Sequence, residues 1–93
     1  IDTDRALDFG LINQVVPVDK LTETVMKLAE KIASKSSLTV SIGKEAFYEQ
    51  AEMSIDDAYA YASEVMVKNM LARDAEEGIG AFIEKRTPQW EGR

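Results

Sequence analysis

Residues Asp74 to Trp90 read DAEEGIGAFIEKRTPQW, and this stretch decides the fold because it carries both a helix start and a helix stop. Asp74 stands where an N-cap would accept a hydrogen bond from an orphan backbone N–H, and Glu77 where it would return the contact as a capping box. Asp74, Glu76 and Glu77 place negative charge at the positive end of the helix dipole, and Lys85 and Arg86 place positive charge at the other end. Pro88 lacks an N–H and restricts Thr87, so the helix ends before it. The reading is a helix of about three turns over Ala75 to Arg86.

Inside that helix Ile79, Phe82 and Ile83 form an apolar stripe, while Gly78 and Gly80 each cost about 1 kcal/mol relative to alanine. A helical side chain leans back over the preceding turn, so Phe82 is expected over Gly78 with Lys85 beside it on the same face. Two uses fit this grouping. The glycines could admit a neighbouring helix, with Phe82 in the core and Lys85 in water. Alternatively, ring, bare backbone and cation form a ledge for a ligand with a flat apolar part and an anion.

Upstream, Ser54 with Asp57 makes a second capping box and opens a long helix from Ile55 to about Ala72. Tyr59, Tyr61, Val65, Met66, Val67 and Met70 spread over more than one of its faces, which predicts burial on two sides, the second against another chain. Ser36-Ser37 caps a helix from Leu38 to about Ala51 with Ile42, Ala46 and Phe47 as its inner stripe. Asp19 is the expected cap of a helix from Lys20 to about Ser34, whose seam of Leu21, Val25, Leu28 and Ile32 faces a core. Its outer side carries Glu23 and Lys27 four apart, a favourable pair.

At the other end, Thr3 or Asp4 caps a brief helix that runs through Phe9 and stops at Gly10. Leu11 to Val16 then has strand composition closed by Pro17, with an extended loop packed by its valines as the alternative. A strand here would need a neighbour that these residues do not contain. With the start in mid-pattern, this points to the chain being the tail of something longer.

The absence of cysteine and histidine excludes disulfides, thiol and imidazole chemistry and the usual zinc sites. A net charge of −6 argues against nucleic acid and anionic membranes as partners. No apolar run is long enough for a membrane span, and no signal peptide is visible at the start, so a cytoplasmic setting is expected, or a mitochondrial one in a eukaryote. The carboxylates fall mostly on caps and polar helix faces. They form no catalytic constellation and no metal site, so neither catalytic nor metal-binding residues are assigned.

The run from Asn69 to Trp90, NMLARDAEEGIGAFIEKRTPQW, resembles the C-terminal signature of the crotonase (enoyl-CoA hydratase/isomerase) superfamily, an acidic D-x-x-E-G helix followed by A-F-x-E-K-R-x-P and an aromatic. ALDFGLINQVVP, Ala6 to Pro17, resembles that family's A-x-x-x-G-L-V-x-x-V-V-P segment, and GKEAFYEQ, Gly43 to Gln50, is similar to a helix between the two, in the manner of the hydratase domain-containing branch. The motifs occur in the family's order and cover essentially the whole chain.

The resemblance implies an all-α fold of four to five helices, a C-terminal trimerisation domain with a short extended N-terminal segment. Residues 1–17 would end the crotonase core and residues 18–93 form the helical oligomerisation domain. It also implies a parent protein acting on acyl-CoA thioesters as a lyase or isomerase, with acyl-CoA as substrate and no separate cofactor. In that family an enolate-like oxyanion is held by two backbone N–H groups and hydratases add two glutamates, all upstream of the segment matched by Ala6 to Pro17. The chain itself would be inactive, and would self-associate as a trimer or higher oligomer. By position in the motif, Phe82 would line the acyl or CoA channel and Lys85 would approach a CoA phosphate or the adenine end. A free-standing helical self-association module and an acidic helical adaptor are the alternatives.

Overall fold

Polar caps begin most of the helices, and the resulting fold is all-α. The computed structural model describes residues 1–93 and contains α1 (Thr3–Asp8), a 3₁₀ turn (Val18–Lys20), α2 (Leu21–Ala33), α3 (Ser37–Gln50), α4 (Ile55–Met70) and α5 (Arg73–Glu84), with no strand. The chain divides into two compact units, Ile1–Ile32 and Ala33–Arg93.

In the first unit the Asp2 carboxylate, rather than Thr3 or Asp4, caps α1, accepting from the Arg5 amide at 2.9 Å. Thr3 is already helical, which moves the cap one residue earlier than the sequence reading had it. Gly10 adopts a φ of 71°, and the Leu11 amide reaches back to the Ala6 carbonyl at 2.9 Å, which closes the helix end. Leu11 to Val16 is irregular with no ladder, so the segment is a loop and not a strand, although Val15, 44% exposed, does not pack it. Asp19 lies inside the 3₁₀ turn, which runs directly into α2, and therefore caps nothing.

The α2 seam departs further from expectation. Leu21, Val25, Leu28 and Ile32 are each between 51% and 55% exposed, so the stripe that the periodicity assigns to a core meets none within this chain. The polar side behaves as read, with Glu23 paired to Lys20 at 3.2 Å and to Lys27 at 2.6 Å.

In the second unit Ser36 caps α3 by accepting from the Thr39 amide at 3.2 Å, and Ser54 caps α4 by accepting from the Asp57 amide at 3.3 Å. The Ser54 hydroxyl also donates to the Asp57 carboxylate at 2.7 Å, so the two side chains meet through the hydroxyl and not through the Ser54 amide of a full capping box. Helices α3 and α4 pack along Ile42 and Ala46 on one side and Ala62 and Val65 on the other, and Thr39 donates to the Asn69 side chain at 3.1 Å. Phe47, assigned to the inner stripe by its spacing, points outward instead and meets Tyr48 edge-on at 5.4 Å. Ala81 of α5 is the single buried apolar side chain.

Candidate site at the ends of the last helix

Helix α5 begins at Arg73, two residues before the predicted start, with Ala72 as an N-cap that offers no side-chain oxygen. Asp74 is thus a helical residue, and its carboxylate serves tertiary partners instead of its own first turn. It is 2% exposed. One oxygen accepts from the Ser36 hydroxyl at 2.5 Å, and the pair of oxygens accepts from the amides of Glu91 (2.7 Å) and Gly92 (3.1 and 3.2 Å). The backbone amide of Asp74 donates to the Arg93 carbonyl at 2.9 Å, so the returning tail performs the capping that no local side chain supplies. The Ser36 hydroxyl and then the tail amides, all donating to the charged form, hold the Asp74 carboxyl below its ordinary range against the cost of burial.

Glu77 does not close a capping box either. It accepts two bonds from the Arg86 guanidinium, at 2.6 and 2.9 Å, and one from the Gln89 amide at 2.7 Å. These donors bring its carboxyl down to about 2, with Arg86 the larger influence. Arg86 also donates from Nε to Glu84 at 2.5 Å, and its own proton is held more tightly as a result.

The surface of Gly78 is covered, but by Trp90 and not by Phe82. A Cβ built at Gly78 would lie 3.2 Å from the indole ring, and the indole N–H donates to the Ser34 carbonyl at 2.8 Å. The tail from Thr87 to Arg93 is therefore a strap across α5, tied at Asp74, Glu77 and Gly78.

At its C-terminal end α5 closes with a Schellman turn. The Arg86 amide donates to the Ala81 carbonyl at 3.0 Å and the Lys85 amide to the Phe82 carbonyl at 3.3 Å. Lys85 occupies the position where glycine is usual, with φ 54° and ψ 41°, and is the single non-glycine residue of the chain at positive φ. For a residue with a Cβ this conformation costs about 1–2 kcal/mol. The Lys85 side chain is exposed and joins no ion pair, and Phe82 is 84% exposed. The two predicted site residues are thus joined through the backbone, but the ring does not lie over Gly78 and the cation stands just beyond the helix.

A groove of about 450 Å³ opens nearby, lined mainly by apolar groups, with Val40, Met70, Ile79 and Trp90 on its walls and Lys35 beside them. Phe82 and Lys85 lie outside it. No group of three acidic, histidine or cysteine side chains could hold a metal ion. No helix is long and apolar enough to cross a membrane. Asp74, Ser36, the Glu77–Arg86 pair and Trp90 are the residues that organise this region. Local pattern reading missed their roles, because an acid near a helix start is indistinguishable from a cap until its distant partners are known.

A family model described as enoyl-CoA hydratase/isomerase matches residues 1–93. Over 90 residues the chain is 46% identical to the rat enoyl-CoA hydratase domain-containing protein 3, mitochondrial, covering 97% of this chain and 30% of that protein. It is 32% identical to the carnitinyl-CoA dehydratase of Salmonella typhi, covering 100% of this chain and 37% of the relative. Among solved structures, that of human enoyl Coenzyme A hydratase domain-containing protein 3 superposes with a TM-score of 0.93 at 46% identity, over 97% of this chain and 36% of the other. An enoyl-CoA hydratase from Mycobacterium smegmatis gives 0.92 at 40% identity, over 97% and 35%. The chain spans about a third of the length of these relatives and matches their C-terminal segment.

Proposed function

The chain belongs to the enoyl-CoA hydratase/isomerase family, and from that premise we propose that it is the C-terminal oligomerisation and CoA-covering part of a protein acting on acyl-CoA thioesters, inactive by itself. The observation that carries this reading is the balance of burial. Ala81 is the one buried apolar side chain, whereas Leu21, Val25, Leu28 and Ile32 on α2 and Tyr59, Met66, Val67 and Leu71 at α4 are all at least half exposed. At about 25 cal/mol per Å² of apolar surface, faces of this size are stabilising only when another surface covers them. On our reading that cover is the thioester-handling body on one side and sister subunits on the other.

Residues 1–17 then end the catalytic core and residues 18–93 form the assembly domain. The reaction belongs to the body: the hydration or dehydration that the names of the relatives describe, or the isomerisation that the family description adds. Phe82 lines the acyl or CoA channel, and Lys85 meets a CoA phosphate or the adenine end, since a flexible ammonium serves as a point charge for phosphate and an aromatic ring shields an apolar chain. The compartment we assign is the cytoplasm, or the mitochondrion in a eukaryote, as in the names of several relatives.

The test is the mass of the full-length protein in solution, measured by light scattering before and after Val67→Asp and Leu71→Asp. A trimer that falls to monomers with loss of turnover of a short enoyl-CoA is the expected result. An unchanged mass, or turnover by residues 1–93 alone, would overturn the proposal.

A further inference from the structure

Two adjacent cations end α5, and nothing in their order says which should face an anion. The structure separates them. Arg86 is turned back along the helix and engaged by carboxylates, with two bonds to Glu77 and one to Glu84. Lys85 is turned out, unpaired, on a left-handed backbone. Glu77 is the common anchor: it grips Arg86 immediately after Lys85 and the Gln89 amide three residues further on, so the chain on the far side of the turn is fixed at two points. The Glu77 side chain is 16% exposed against 41% for Arg86, so the carboxylate at the centre of the clamp is the more enclosed partner.

We infer that Glu77 is a positioning residue for Lys85: by locking Arg86 and Gln89 it holds the left-handed turn and leaves Lys85 as the ammonium presented, beside exposed Phe82, to the phosphate of a CoA ester. This rests on the acyl-CoA reading above and adds to it how the cation is selected and aimed. A glycine would close the same Schellman turn without a backbone penalty, so a lysine there is explained by its ammonium and not by the turn.

The experiment is calorimetric titration of CoA into the full-length protein, with melting curves in parallel. Lys85→Ala is expected to raise Kd about fivefold, the scale of one partly exposed charge contact. Lys85→Gly should raise Kd equally while increasing Tm, because the turn is relieved as the charge is lost. Glu77→Gln should raise Kd about threefold alone and add nothing in the Lys85→Ala background, since groups acting through one contact are not additive. If Glu77→Gln does not fold, Arg86→Gln opens the same clamp from its other side and carries the same expectation.

If Lys85→Ala and Lys85→Gly leave Kd unchanged, the contact of Lys85 with CoA is wrong and the inference fails with it. If both weaken binding but Glu77→Gln acts equally in the two backgrounds, does nothing, or tightens binding by freeing Arg86, the contact stands and the positioning role is overturned.

Discussion

Asp74 illustrates how one side chain can hold several chain segments at once. Its buried carboxylate receives a hydroxyl from 38 positions earlier and two amides from 17 and 18 positions later. Asp74→Asn puts an NH₂ donor against groups that are themselves donors, and Tm should fall by about 5 °C in a thermal melt of the full-length protein. Acid should act on the same residues. Glu77 has its carboxyl lowered from 4.5 to about 2 by Arg86 and then the Gln89 amide, and Asp74 is lowered as well. A depressed carboxyl contributes stability that is complete above its unfolded value and lost as pH falls through its folded value. Denaturant midpoints should therefore decline between about pH 4.5 and 2. Glu77→Gln should flatten that decline, and an equally steep one in the variant would assign the acid sensitivity elsewhere.

At the scale of elements, two helical glycines make opposite predictions. A Cβ at Gly43 on α3 meets nothing within 4 Å, so Gly43→Ala should stabilise by about 0.5–1 kcal/mol through helix propensity alone. At Gly78 the same change puts a methyl 3.2 Å from Trp90, and Gly78→Ala should lower Tm despite better propensity by pushing the strap off α5. Paired melts of the two variants decide this. The helices themselves were legible from sequence, with α3 and α4 beginning within a residue of their serine caps, because those caps bond within their own first turn. The start of α5 was misread for the converse reason. Its capping comes from the Arg93 carbonyl, and no local window contains both partners. Spacing placed Phe82 over Gly78 with Lys85 beside it, which fails because Trp90 covers Gly78 and the left-handed turn at Lys85 carries no signal in a sequence that offers lysine where glycine would have given one.

For the whole molecule, the two units carry apolar faces that the chain leaves open, and a 93-residue domain buries only about 60–65% of its unfolded surface even when well packed. Residues 1–93 produced alone should bind a hydrophobic dye such as ANS and show a broad melt. Amide exchange should be slowest around Asp74 to Ala81, where both fully buried α5 side chains lie. A sharp transition without dye binding would mean that the faces of α2 and α4 need no cover. The clasp at Asp74 also sets an order in time. The amides that complete it belong to Glu91 and Gly92, and they become reachable only after the ribosome has finished the strap and released it from the exit tunnel. Until that moment the Asp74 carboxylate receives the Ser36 hydroxyl alone, so a nascent chain holds α5 to the start of α3 by one hydrogen bond, and the clasp locks only when the two strap amides arrive.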